Sequence, residues 1–360
     1  MKKQGTLKAL ISVAVVALIF FLAWLAEKEQ GASSMLVTVL KKGAVYALIA
    51  VSMNLLNGFT GLFSLGQAGF MLVGAYTYAV FTIPLAKRAA VYQYYAGGCV
   101  GIELNYIVAL ILAGVAAAIF AALIGLPVLR LKSDYLAIAT LGFAEIIRAI
   151  VQWDTLGPVT NGSNLLKTYP TFKTVMPGST VLFPFIVAGI CIGIILLLIN
   201  STYGRAFKAI RDDEIAAEAM GINLFHHKQM AFVISSFFAG VGGALLAMYQ
   251  GSLQANAFKS SMTYEILLIV VIGGMGSISG SVLASFLFIA CSEWWLRFLD
   301  NETFIGDFQI PLLGSGFRMV VFSVVIMIVV LFFRRGLMGD RELWNLRIPK
   351  KTKAREVTKA

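Results

Sequence analysis

The sequence predicts an all-α polytopic membrane protein with about ten transmembrane helices. Of its 360 residues, 59% are hydrophobic and only 13% are charged, and the mean hydropathy is +0.85. A soluble domain carries roughly 25% charged residues, so most of this chain requires the bilayer as its solvent. The apolar runs at 107–129 and 181–199 are long and continuous, which favours helices because strands of a membrane barrel are about ten residues long and alternate in polarity.

Ten apolar segments are candidates for these helices. Two of them, 43–57 and 262–274, are short for a hydrocarbon core of about 30 Å, and both adjoin glycine-rich sequence. The first segment follows Lys2 and Lys3 as in a signal peptide, but no small-residue cleavage site comes after it, so we interpret it as a retained helix. The predicted spans are 7–26, 43–57, 68–86, 106–129, 135–153, 180–200, 229–250, 262–274, 280–298 and 316–334.

The positions of the basic residues predict the orientation. An even number of spans puts both termini on one side of the membrane. If that side is the cytoplasm, cytoplasmic segments hold 18 of the 29 lysines and arginines and external segments hold eight, so the bias predicts cytoplasmic termini. The chain then divides into an N-terminal helix with an external linker (1–42), a core (43–335) and a basic cytoplasmic tail (336–360), which we expect near anionic lipid headgroups.

A mixed-charge segment at 205–228, here named the coupling segment, lies between the sixth and seventh predicted spans. Its apolar residues recur at helical spacing and small residues fill its middle, which predicts a short amphipathic helix on the cytoplasmic side. Small side chains would let another protein approach closely. On the residues alone, a solvated, salt-bridged connector is the favoured alternative.

Four separated motifs carry a resemblance to a known family. The coupling segment contains Arg-Ala-x-x-Ala-Ile-Arg-Asp-Asp-Glu followed by Met-Gly-Ile. Residues 54–70, 130–143 and 273–280 hold three further patterns, named here the first, second and third signatures. In order and content these motifs resemble the permease subunits of ATP-binding cassette (ABC) importers for branched-chain amino acids, of the LivM type. The likeness covers roughly residues 43–335.

The resemblance implies a role for the coupling segment. In the family, this cytoplasmic coupling helix docks in a groove of the ATPase and transmits nucleotide-driven closure to the pore. The general ABC pattern, Glu-Ala-Ala, three residues, Gly, is met only in part, because Ile215 stands where the glutamate would be. The residues implied to contact the ATPase are Glu214, Ala216, Ala217, Glu218 and Gly221.

The resemblance also implies partners and a location. The expected partners are a second homologous permease subunit, two ABC ATPase subunits, a periplasmic or extracellular substrate-binding protein and membrane lipid. The expected location is the bacterial inner membrane. Within the family, a urea or short-chain amide permease is an open alternative, and outside it a secondary transporter or channel. A membrane-embedded enzyme would need a convergent polar site, and the sequence suggests none.

The first and third signatures are polar, glycine-rich and at membrane depth. Irregular backbone there is tolerated only where it is buried in protein or lines a water-filled cavity. We therefore expect Asn57, Thr60, Ser64 and Gln67 to line or brace the translocation route. The alternative is close helix packing through small residues.

Ionisable residues in the spans suggest pairings. Glu145 and Arg148 are three residues apart and Glu293 and Arg297 are four apart, so each pair shares one helix face. Glu265 and Arg318 have no partner nearby in sequence, so they either pair across helices or sit at the interface.

Several chemistries find no support in the sequence. The chain has no Gly-Lys dipeptide and hence no Walker A loop, so we expect separate subunits to hydrolyse ATP and this chain not to be an enzyme. The adjacent His226 and His227 do not share a helix face, and the three cysteines, Cys99, Cys191 and Cys291, suggest neither disulfides nor a metal site. We expect no cofactor. The net charge of +11 accompanies the ends of apolar runs and the tail, so we expect no nucleic-acid partner.

Overall fold

The computed structural model is an α-helical bundle, and its described part confirms the polytopic helical class. Seven helices are long and apolar enough to cross a membrane, and an eighth crossing is added if one bent helix pair forms a single span. The predicted span 7–26 lies outside the described residues, as does 316–334 except at four positions. The structure describes residues 33–95, 97–131, 133–296, 304–305, 308–309, 321, 323–324, 327, 336–339 and 342.

The described part of the chain forms eight long helices joined by shorter elements. The long helices are α1 (Ser33–Asn54), α2 (Gln67–Thr82), α4 (Tyr106–Val128), α5 (Ser133–Gln152), α8 (Leu182–Asn200), α11 (Leu224–Gln250), α12 (Ser260–Gly273) and α13 (Ile278–Ala290). The short helices are α3 (Leu85–Val91), α6 (Gly157–Thr160), α7 (Phe172–Val175), α9 (Thr202–Asp212) and α10 (Glu214–Ala219). Single 3₁₀ turns (Asp154–Leu156, Ala255–Ala257), two π-helical turns (Leu55–Phe59, Cys291–Trp295) and an antiparallel pair of two-residue strands, β1 (Phe304–Ile305) and β2 (Phe308–Gln309), complete the described elements.

Two predicted spans differ clearly from the observed helices. The span predicted at 43–57 begins ten residues earlier, at Ser33, and continues through a π-helical turn to Phe59, so it is not short. The span predicted at 68–86 ends as α2 at Thr82, because Pro84 follows and Ile83 takes an extended conformation, as the residue before a proline prefers. The chain then bends by 120° into α3.

Helix α11 lies at the centre of the bundle and packs against α1, α2 and α4. Glycines make the closest approaches possible. A side chain at Gly74 of α2 would collide with the backbone of Gly240, and one at Gly243 would collide with the carbonyl of Met71. Small residues at a helix interface let two backbones come together, which is how helices gain packing energy in a solvent as apolar as their side chains.

The bundle has two distinct ends. At one end, here the 201–223 end, the first signature contacts both α9 and the third signature. At the opposite end, the 154–178 end, Leu166 and Leu253 form an isolated β-bridge and the Tyr95 hydroxyl donates to Asp154 at 3.0 Å. That hydrogen bond to a carboxylate raises the pKa of Tyr95. Loops at both ends therefore tie together helices that are distant in sequence.

Candidate functional site

Asn57, predicted to line or brace the route, closes the loop of the first signature. Its Oδ1 accepts a hydrogen bond from the backbone N–H of Ser64 at 3.2 Å, and its Nδ2 donates to the carbonyl of the same residue at 3.5 Å. The Thr60 hydroxyl donates to the carbonyl of Leu55 at 3.0 Å. All three polar side chains are more than nine-tenths buried. The loop is thus held by its own side chains.

Gln67 ties α2 to two neighbouring helices. Its Nε2 donates to the hydroxyl of Ser52 on α1 at 2.7 Å, and the Ser235 hydroxyl of α11 donates to the carbonyl of Ser52 at 2.6 Å. Gln67 is 4% exposed. The structure therefore places all four predicted route residues in packed, hydrogen-bonded positions of this conformation, where they brace the first signature.

Asn54 connects the first signature to the third, and sequence reasoning did not single it out. Its Nδ2 donates to the carbonyl of Ser277 at 2.9 Å and to the hydroxyl of Ser281 at 2.8 Å, while its Oδ1 accepts from the backbone N–H of Gly276 at 2.9 Å. The Asn54 side chain is fully buried. Gly58 lies so close that a side chain there would collide with Asn54.

Glu342 caps α13, which begins within the third signature. Its carboxylate accepts from the backbone N–H groups of Ile278 at 2.8 Å and Ser279 at 3.0 Å. A negative charge is favourable at a helix N-terminus, where the first N–H groups have no partner within the helix. Nearby, the N–H of Leu337 donates to the carbonyl of Ile272 at 2.7 Å. This part of the predicted tail therefore packs against the bundle.

The coupling segment is divided into two helices, where one was predicted. Asp213 separates α9 from α10 because it adopts an extended conformation and its Oδ1 accepts from the N–H groups of Ile215 and Ala216, at 2.9 and 3.1 Å. This is an N-cap, for which aspartate is a preferred residue. After α10 the chain turns at Gly221, with φ +84°, and α11 begins at Leu224 rather than at the predicted 229.

Helix α10 presents an exposed surface at the end of the bundle. Ile215 and Met220 are 82% and 83% exposed, whereas Ala217 is buried against the bundle. Lys228 of α11 forms an ion pair with Glu214 at 2.7 Å. Four of the five residues predicted to contact an ATPase are exposed, namely Glu214, Ala216, Glu218 and Gly221.

Arg211 joins α9 to the first signature. Its Nη1 donates to the carbonyl of Gly58 at 3.1 Å. Gly61, with φ +77°, brings its backbone against the Arg211 side chain, and the Lys208 ammonium lies 5.6 Å from the centre of the Phe59 ring. A positive φ is a conformation that glycine adopts without steric cost. The coupling segment thus contacts the same turn that carries Asn57.

The ionisable pairs are partly as predicted. Arg148 and Glu145 form the predicted ion pair at 2.6 Å, and Ser260 also donates to Glu145. Glu293 pairs with Lys42 of α1, a partner 251 residues away. The residues predicted to pair with Glu293 and Glu265, namely Arg297 and Arg318, lie outside the described residues. Among the described residues, no three His, Cys, Asp or Glu side chains converge as a metal-binding group.

The long apolar helices define a multi-pass membrane protein, and the proteins that it resembles are transport permeases. The family described as "Branched-chain amino acid transport system / permease component" matches residues 35–333, and the chain belongs to this family. It is 32% identical over 307 residues to the high-affinity branched-chain amino acid transport system permease protein LivM of Escherichia coli, covering 78% of this chain and 67% of the relative.

Other relatives extend this similarity. The chain is 24% identical over 341 residues to a probable LivM of Methanocaldococcus jannaschii, covering 87% of this chain and 95% of the relative. It is 21% identical over 317 residues to the high-affinity branched-chain amino acid transport system permease protein LivH of Salmonella typhimurium. The match covers 84% of this chain and 93% of the relative. No solved structure matches the chain.

Proposed function

We propose that this chain is a transmembrane permease subunit of an ATP-driven importer that moves branched-chain amino acids into the cytoplasm. The names of its relatives and its family support this substrate class. The observation that carries the mechanism is the hydrogen bond from Arg211 to Gly58, because it links an exposed pair of helices to the polar signatures inside the bundle.

The route of coupling follows the described contacts. An ATPase that binds the exposed side of α10 displaces α9, which is joined to it at Asp213. Arg211 passes this displacement to the first signature, and Asn54 passes it to the third signature and α13. The first step is a chain connection and the later steps are direct hydrogen bonds, which together form the kind of contiguous network that can bias a two-state bundle.

The proposed orientation puts the 201–223 end in the cytoplasm. That end carries the surface for the ATPases and also Glu342 of the basic tail. The 154–178 end then faces the exterior, where a substrate-binding protein would dock. We accordingly propose a bacterial inner membrane location with cytoplasmic termini.

The proposed partners are two ABC ATPase subunits, a second homologous permease subunit and a periplasmic or extracellular binding protein. The chain itself is proposed to be passive in chemistry, with ATP hydrolysis in the ATPases. Its relatives include permeases named LivM and LivH, which fits a pair of related but different permease chains.

Uptake in proteoliposomes tests this function. The complete complex is reconstituted with its binding protein outside and ATP inside, and uptake of leucine, urea and acetamide is compared. We expect leucine to accumulate with ATP and to stop accumulating when ATP is omitted. Accumulation of urea or acetamide instead would favour the alternative permease. Leucine uptake that follows an imposed ion gradient without ATP would indicate a secondary transporter.

A further inference from the structure

Three charged side chains form a patch on the bundle, toward the 154–178 end. Lys42 of α1 pairs with Glu293 of the π-helical turn after α13. Glu265 of α12 is exposed and interacts electrostatically with both of them. We name Lys42, Glu265 and Glu293 the charged patch.

A tyrosine faces the same charges. Tyr46, one turn after Lys42, is 6% exposed, and its ring centre lies 5.6 Å from the Lys42 Nζ. Its hydroxyl interacts electrostatically with Glu265 and Glu293 and makes no hydrogen bond within the described residues. The hydroxyl oxygen itself is not fully enclosed by protein. A donor with no partner among the described residues therefore faces the charged patch.

The surroundings of Glu265 differ from those of Glu145, another carboxylate within a described span. Glu145 is neutralised by Arg148 and also accepts a hydrogen bond from Ser260. Glu265 is exposed on α12, and within the described residues it forms no ion pair. An ionised side chain in a span is costly against lipid, and such residues face a water-filled cavity or the bundle interior. The charged patch is therefore expected to face water.

We propose that the charged patch and Tyr46 form a transit site at the external mouth of the translocation route, which holds the charged groups of a zwitterionic amino acid. Glu265 accepts hydrogen bonds from the substrate ammonium group. Lys42, held in place by Glu293, and the Tyr46 hydroxyl donate to the substrate carboxylate. The inference rests on the proposed import of amino acids and deepens it, because urea and neutral amides lack both charges.

A thiol probe tests whether the charged patch meets water and substrate. Ser261 is exposed and four residues before Glu265, so both lie on one face of α12. Ser261→Cys is introduced into a chain carrying Cys99→Ser, Cys191→Ala and Cys291→Ala, and the complete reconstituted complex is treated with a membrane-impermeant methanethiosulfonate. We expect modification from outside, slowed about tenfold by saturating leucine, which corresponds to ~1.4 kcal/mol.

The role of the Glu265 carboxylate is tested in the chain that carries Ser261→Cys and lacks the three native cysteines. Glu265→Gln is expected to remove the leucine protection at position 261, and Glu265→Asp to retain part of it. The matched control is Glu103→Gln, which changes an exposed carboxylate of the 154–178 end and is expected to leave protection unchanged. In the chain with native cysteines, Glu265→Gln is expected to raise the KM for leucine uptake about tenfold, because the substrate ammonium loses one hydrogen bond to a charged group.

The outcomes separate this inference from the proposed function. Absence of modification at position 261, in a complex that transports leucine, means that the face meets lipid and overturns the transit site. Modification that leucine does not slow, together with an unchanged KM for Glu265→Gln, means a solvated or headgroup-binding patch and also overturns it. Failure of the unsubstituted complex to accumulate leucine with ATP contradicts the proposed function itself.

Discussion

Arg211 donates a hydrogen bond from Nη1 to the backbone carbonyl of Gly58 at 3.1 Å, and this contact connects α9 to the first signature. We predict that Arg211→Ala uncouples the transporter. ATP hydrolysis by the complex should persist while leucine uptake falls about tenfold or more, because the loss of a charged hydrogen bond costs roughly 1.5–3 kcal/mol. Hydrolysis and uptake are measured on the same proteoliposomes. Arg205→Ala, an exposed position on the same helix, is the control and should transport normally.

Asn54→Ala should destabilise the bundle more than Asn57→Ala. The first change removes the hydrogen-bond partner of the Gly276 N–H and of the Ser277 carbonyl. These residues are 222 and 223 positions away in sequence, and Asn54 is fully buried. Leaving buried groups unpaired costs about 1–3 kcal/mol each. The measurement is the apparent unfolding temperature of the purified chain in detergent. An equal or smaller loss for Asn54→Ala would contradict its assigned role as the link between the signatures.

Gly74→Ala tests the packing of α2 on α11. The added methyl group would collide with the backbone of Gly240, which cannot move without displacing α11. Overpacking of this kind typically costs about 1–3 kcal/mol, so the yield of folded protein and its apparent unfolding temperature should fall. Gly193→Ala is the matched control, because a side chain there meets nothing within 4 Å.

Glu342→Ala should loosen the start of α13. The variant loses the acceptor for the N–H groups of Ile278 and Ser279, and a lost N-terminal cap costs about 0.5–2 kcal/mol. Hydrogen exchange followed by mass spectrometry should show faster exchange in peptides covering 278–280. Peptides from the centre of α11 provide the internal control and should be unaffected. Unchanged exchange at 278–280 would contradict the capping role.

The sequence predicted the uninterrupted apolar helices closely, since continuous hydrophobicity is a local signal. The spans predicted at 106–129 and 180–200 match α4 and α8 within two residues at each end. Helix α1 was predicted to begin too late because Lys41 and Lys42 suggested a loop. The partner of Lys42 is Glu293, 251 residues away, and no local pattern shows that pairing.

The functional residues likewise form two groups: some have a local sequence signal, and others depend on contacts between residues far apart in sequence. The coupling segment and the signatures are visible as local patterns, and so were identified from sequence. The importance of Asn54 depends on Gly276 and Ser277, which only the fold brings within hydrogen-bonding distance. The division of the coupling segment at Asp213 had a local signal, because aspartate is a preferred N-cap residue and Glu214 adds an acidic side chain in the first turn.

Cross-linking from α10 tests the central claim most directly. Met220→Cys is introduced into the chain lacking its three native cysteines, and the complete complex is treated with a short bifunctional thiol reagent with and without ATP. We predict a cross-link between position 220 and an ATPase subunit, with a yield that changes when ATP binds. Complete absence of that cross-link in a complex that still imports leucine would contradict the assignment of α9 and α10 as the connection to the ATPase.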